Sequence, residues 1–148
     1  MTKKIQIHKI ICIIKQYMSD KVNFVIDEIT NGLMSENPIR FVDTKLGIIF
    51  QQTAGFKITN KLAMFDLDST IIFNKSNKRF FENKNDWLLP NDRKKYIRKL
   101  HKLGYSIIII SNQTGMKKNT NRCDVFFERL DNIIYKLQTP LAFLAATS

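Results

Sequence analysis

Residues 61–70, Lys-Leu-Ala-Met-Phe-Asp-Leu-Asp-Ser-Thr, constrain the fold more than any other stretch of the chain. Leu62, Ala63, Met64 and Phe65 form an apolar run of strand length that leads into two aspartates, Asp66 and Asp68, and then into the hydroxyls of Ser69 and Thr70. Side chains alternate along an extended chain, so Asp66 and Asp68 should leave the strand end on one side, close enough to share a phosphate or a metal ion. Neighbouring carboxylates repel unless a cation, a proton or hydrogen bonds compensate, so the pair marks a candidate site. A turn that caps the strand is the plainer explanation, because Asp and Ser both bond nearby backbone groups. On this stretch alone the two explanations stand level.

A second stretch favours the site. Ser106 to Ile110 is another apolar strand, and it ends in Ser111-Asn112-Gln113-Thr114-Gly115. In open α/β sheets ligands bind outside the carboxyl ends of parallel strands, so two polar strand ends can line one crevice. Between the strands, Ile71–Phe73 and Arg79–Phe81 bracket Asn74-Lys75-Ser76-Asn77-Lys78, a hairpin or flap with a basic tip that would overhang Asp66. After Pro90, Asn91 or Asp92 offers a cap to a helix with Tyr96, Ile97, Leu100 and Leu103 on one face and Gly104 as its stop. Strand, flap, helix, strand is the order of a right-handed parallel crossover. A further helix over about 121–137 buries Phe126, Leu130, Ile133, Ile134 and Leu137, and Leu141–Ala146 follows as a third strand.

Upstream the sequence says less. Val22, Val25, Ile26, Ile29 and Leu33 recur at helical spacing, and the isoleucines of residues 1–17 fit a crowded helix or a buried strand. Residues 1–45 are therefore read as a helical N-terminal segment without recognisable chemistry, and residues 46–148 as the site-bearing domain. Within the latter, Gly47–Thr53 is a strand that could flank the core sheet.

A chain of 148 residues, 44% hydrophobic, is long enough for its own core. Its formal charge of +11 favours an anionic partner such as nucleic acid and disfavours a small cationic substrate. Cys12 and Cys123 stand apart from each other, with no second thiol near either, as free thiols of a reducing, intracellular compartment would. The apolar run at residues 5–14 is broken by His8 and Lys9, so neither an export signal nor a membrane span is expected.

Asp66-Leu67-Asp68-Ser69-Thr70 resembles the first motif of the haloacid dehalogenase superfamily, and Ser111-Asn112 resembles its second. From Phe65 to Thr147 the chain is similar to the 3′-phosphatase domain of polynucleotide kinase/phosphatase. The similarity runs through Lys75-Ser76-Asn77-Lys78, Asp86-Trp87, Leu103-Gly104-Tyr105, Ser111 to Gly115 and Thr139-Pro140-Leu141. The resemblance implies a haloacid dehalogenase-like, Rossmann-like α/β fold: a three-layer parallel sheet, here lacking its last strands. It also implies removal of 3′-phosphates from DNA ends during repair. Asp66 would be the nucleophile that forms an aspartyl-phosphate, and Asp68 the general acid and base. Mg²⁺ would be held by the Asp66 carboxylate and the Asp68 main-chain carbonyl. Thr70 and Ser111 would bind phosphate oxygens and Asn112 would orient the site. Lys75, Lys78, Arg79, Lys117 and Lys118 are candidate contacts to nucleic acid.

Two departures qualify the resemblance. Ser69 stands where the family has glycine, and the family's later charge-balancing lysine and acidic metal ligand have no counterpart. Lys117, Lys118, Asp124 and Asp131 all precede the third strand. The chain would then expose the 62–66 strand as an apolar edge open to self-association or to a partner chain. A silent remnant that binds nucleic acid or protein, and a phosphatase of small phosphomonoesters, are the alternative functions. No Gly-x-x-x-x-Gly-Lys-Ser/Thr loop occurs, so these residues carry no kinase site.

Overall fold

A computed structural model of the chain describes residues 8–9, 12, 23–35, 37–43, 47–113, 116 and 120–147. The expected helix at 1–17 lies almost wholly outside these residues, as do Lys117 and Lys118. The elements in chain order are α1 (Asn23–Ser35), β1 (Ile39–Asp43), β2 (Ile48–Gln52), β3 (Lys61–Asp66), α2 (Asn91–Lys102), β4 (Tyr105–Asn112), α3 (Thr120–Leu137) and β5 (Leu141–Ala146). They build one five-stranded sheet in the order β1-β2-β5-β4-β3. β3, β4 and β5 run parallel, Asp66 opposite Ile110 and Ser111 opposite Ala145, so the polar strand ends come into line. β2 joins β5 antiparallel, with Ile48 opposite Ala146, and β1 joins β2. Residues 39–43, read from sequence within a helical segment, are thus a strand of the sheet.

Alternation along the strands sorts the core into two layers. Ile107, Ile109, Leu141, Phe143 and Ala145 face the α2 and α3 side, where Ile97, Phe126, Leu130, Ile133 and Leu137 cover them. Ile48, Phe50, Ile108, Ala142 and Leu144 face the other way, onto Ile29 and Leu33 of α1 and onto Phe56 and Ile58. Covered on both faces, β4 and β5 are near-continuous apolar runs rather than alternating ones. α1 comes close because it carries Gly32, where a Cβ would stand 3.1 Å from the Ile39 side chain. The buried Gln52 amide donates to the carbonyls of Gly32 (3.2 Å) and Asn37 (2.8 Å), fixing the turn from α1 into β1. Among the described residues no helix is long and apolar enough to cross a membrane.

β3 is the end strand of the sheet and stays half-exposed along its apolar residues. This explains why only part of the α2 face is buried. Ile97 is covered, whereas Tyr96 and Leu103, expected on the same face, are more than half exposed. They lie over the last strand, Tyr96 edge-on to Phe65 and the Leu103 carbonyl accepting from the Lys61 ammonium. Neither Asn91 nor Asp92 caps α2. Pro90 occupies the N-cap, its carbonyl accepting from the Arg93 and Lys94 amides.

The flap is also closed differently from the expected hairpin. Phe73 pairs with Leu88 through two backbone hydrogen bonds, of 3.0 and 2.8 Å, and Arg79–Phe81 form no return strand. One carboxylate does the organising. Asp86, only 5% exposed, accepts from the Ser76 amide (2.7 Å), the Ser76 hydroxyl (2.6 Å) and the Glu82 amide (2.9 Å). Loop amides satisfied by a side chain need no strand partner. These bonds, the Ser76 hydroxyl foremost, hold the Asp86 pKa below the ordinary aspartate value. Its contribution to flap stability is complete above the unfolded value, about pH 4, and is lost as pH falls through the lower folded value. Asp86→Asn should therefore speed amide hydrogen exchange across residues 74–82 at neutral pH while β4 and β5 stay protected. The wild-type flap should show the same change on acidification below about pH 4.

Candidate active site

The turn after β3 is built around Leu67. Its side chain is wholly buried, and its carbonyl accepts from the amides of Ile71 (3.0 Å) and Ile72 (3.1 Å), while the Ser69 amide donates back to Ile72 (2.8 Å). Wound this tightly, the chain passes Ser69 at φ +61°, in the left-handed region that glycine enters without steric cost. The same turn separates the two aspartates. Asp66, at the strand end, is exposed, and Asp68 is half-buried.

Asp68 and Asp66 open onto neighbouring hollows. Asp66 lines one of about 280 Å³ with Phe65, Ser111 and Asn112. Asp68 lines one of about 480 Å³ under the flap, together with Asn112, Gln113 and, from the flap, Asn77, Lys78 and Phe80. Asn112 is the wall common to both. The flap thus overhangs Asp68 rather than Asp66, because the clamp at Asp86 and the bridge to Leu88 draw it toward the α3 side. Thr70 lines neither hollow. It sits behind the turn, where its carbonyl accepts from Arg93 Nε at 3.0 Å.

Gln113 ties the second strand end to the first. Its Nε2 donates to Asp68 Oδ2 and to the hydroxyl of buried Ser111, both at 2.8 Å, and its amide donates to the Ala146 carbonyl at 2.7 Å. Asp68 Oδ1 is buried and meets no hydrogen-bond donor. Burial pushes the Asp68 pKa above the ordinary value. The charge of Arg129 and the Gln113 bond oppose that push, and the neighbouring Asp66 adds to it.

Arg129 and Gln113 are the two residues of this site that sequence reasoning left without a role. Arg129 projects from α3, is 6% exposed and lies over Phe81 of the flap, its guanidinium carbon 3.7 Å from the ring centre. Burial lowers its pKa, and the charges of Asp68 and Asp86 act against that. It is therefore a buried cation acted on by both the flap clamp and the inner aspartate. The available signal was an arginine in the apolar stripe of α3, three residues after Phe126 and directly before Leu130. Of the expected basic contacts, Lys78 pairs with Glu82 and Arg79 stacks on Phe80, both on the flap hollow. Lys75 points to the opposite side of the flap.

The positive φ at Ser69 yields a stability test. Ser69→Gly should raise stability by about 1 kcal/mol, and Ser69→Val should lower it by at least about as much. Urea unfolding with unchanged m-values would register both shifts.

Residues 61–148 match the family described as polynucleotide kinase 3 phosphatase. Over 84 residues the chain is 33% identical to an uncharacterized 20.8 kDa protein of Autographa californica nuclear polyhedrosis virus, covering 56% of this chain and 45% of that one. It is also 33% identical over 92 residues to the bifunctional polynucleotide phosphatase/kinase of Schizosaccharomyces pombe, covering 61% and 22% respectively. The chain thus spans less than half the length of each of these relatives. Among solved structures it resembles a protein of Mesorhizobium loti described as a HAD-like phosphatase. The TM-score is 0.53 at 15% identity, over 68% of this chain and 50% of the other, a likeness of fold. The family match takes in β3, the flap, β4, α3 and β5, every element that carries the site, and the chain accordingly belongs to the polynucleotide kinase 3 phosphatase family, with a haloacid dehalogenase-like fold.

Proposed function

We propose that the chain is a polynucleotide 3′-phosphatase acting on DNA ends, with Asp66 as nucleophile and Asp68 as general acid and base. The observation that carries this reading is the division of labour between the two carboxylates. Asp66 is exposed at the strand end, free to reach a phosphorus atom, whereas Asp68 is half-buried and fixed by Gln113. An Asp66 oxygen attacks the phosphorus in line, the bond from phosphorus to O3′ breaks, and Asp68 delivers a proton to the departing oxygen. Water then attacks the aspartyl-phosphate, Asp68 takes its proton, and phosphate leaves with Asp66 restored. Ser111 and Asn112, which line the Asp66 hollow, are assigned to the phosphoryl oxygens and their orientation. The buried Ser111 hydroxyl reaches them only beside Gln113, and Thr70, expected to share that role, lines neither hollow.

Among the described residues no group of three or more His, Cys, Asp or Glu could hold a metal ion. An exposed Asp66 next to Asp68 nonetheless suits Mg²⁺, which takes one or two carboxylates and fills its sphere with water and substrate oxygens. The Asp66 carboxylate and the Asp68 main-chain carbonyl are the groups that would hold it. Such an ion offsets the repulsion between an anionic nucleophile and an anionic substrate.

A polynucleotide rather than a small phosphomonoester is favoured by the flap hollow. Phe80 is 72% exposed there beside Arg79, with Lys78, Asn74 and Asn77 around it. Stacking surface next to cations suits a strand end and offers a small sugar phosphate little. The half-exposed edge of β3 supports the further reading that the chain associates with a second copy or with another strand.

Phosphate release from a 3′-phosphorylated oligonucleotide with Mg²⁺ should fall about a thousandfold or more in Asp66→Asn. A short 3′-hydroxyl oligonucleotide should inhibit the wild type more strongly than a small phosphomonoester does. Release no greater than that of the variant, from folded protein, would overturn the catalytic reading and favour a nucleic-acid-binding remnant.

A further inference from the structure

The outer side of the flap carries a second crevice, of about 300 Å³, lined by Lys75, Asn85 and Trp87 from the flap and by Asn132, Tyr135 and Lys136 from α3. Helical geometry assembles the α3 part. Phe126, Leu130, Ile133 and Leu137 form the buried stripe, and Asn132, Tyr135 and Lys136, three and four residues apart, share one flank away from it. Tyr135 is 79% exposed, more so than Phe80 under the flap. Lys136 rests on the Trp87 ring, 5.0 Å from its centre.

An isolated exposed tyrosine would need no explanation. Here it comes with two lysines, two side-chain amides and an indole, and the lining contains no carboxylate. The nearby acids are committed elsewhere. Glu128 pairs with Lys84, Asp131 with Arg40, and Asp86 is turned into the flap. A surface for a protein partner would be more apolar and poorer in lysine. Exposed aromatic surface, cations and amides without acids are the chemistry that holds single-stranded nucleic acid. The flap loop presents Lys78 and Arg79 to one hollow and Lys75 to the other, so basic groups continue from the Asp68 side to this one.

We propose that this outer crevice is a second nucleic-acid contact, taking a single-stranded stretch with a base against Tyr135 and phosphates against Lys75 and Lys136. The identity of the occupant rests on the polynucleotide reading above, but binding here involves no turnover. It is tested with an oligonucleotide that has no 3′-phosphate, so its failure is distinct from a failure of phosphate release.

Trp87 is the sole tryptophan of the chain, and it lies in the crevice. Titrating the full chain with a single-stranded 3′-hydroxyl oligothymidylate should quench its emission saturably as Lys136 leaves the ring for a phosphate. In anisotropy measurements on a labelled strand, Tyr135→Ala should weaken binding about tenfold. Lys136→Gln should reduce the slope of log affinity against log salt by about 0.7. Both side chains are exposed, so melting temperatures close to wild type are expected and serve as the check on folding. Wild-type affinity and salt slope in the folded variants would overturn the proposal. So would equal quenching by polyglutamate, which would mark the crevice as a site for acidic protein instead.

Discussion

The turn held by the Leu67 carbonyl is the constraint on which the rest of this structure depends. A wholly buried leucine between two aspartates forces the chain to turn inward immediately after β3, so one carboxylate stays in solvent while the other goes under cover. The two groups are identical in chemistry, and their surroundings make them different. Burial without full hydrogen bonding raises the proton affinity of a carboxyl group, and Asp68 retains one oxygen with no donor. A straight continuation of the strand would have placed both in the same medium.

Electrostatic support for that arrangement comes from Arg129. A buried guanidinium is costly unless anions offset it, and the charges of two act on this one from separate parts of the fold. Asp68 belongs to the turn after β3 and Asp86 to the base of the flap, so a single cation from α3 links the site to its cover. The Phe81 ring holds the guanidinium from the flap side. The flap is accordingly anchored twice, by hydrogen bonds into Asp86 and by the ring against Arg129.

What could be read in the sequence was whatever depends on local pattern. The strands at 62–66, 106–110 and 141–146 announce themselves as apolar runs and the helices at 91–102 and 121–137 by periodicity, and Ser111 and the aspartates mark strand ends because polar residues there interrupt those runs. What could not be read depends on long-range partners. Phe73 pairs with Leu88 because Asp86 gathers the loop between them, and nothing in Arg-Phe-Phe at 79–81 reveals that no strand will form there. Tyr96 and Leu103 look buried by spacing and are exposed because the sheet stops at β3. Arg129 looks like a lapse in an apolar stripe until the two acids near it are placed.

The position of β5 bears on how such a chain acquires its shape. It lies at the middle of the sheet, between the antiparallel pair β1–β2 and the parallel pair β3–β4, so the strand pairing that joins those halves runs through residues 141–146. On a ribosome the two pairs emerge before β5 and must wait, each with one flank of unsatisfied backbone groups, until β5 is free to slide between them. Assembly of this sheet therefore awaits β5 and is dominated by contacts distant in sequence, the kind that folds slowly and leaves sticky intermediates along the way.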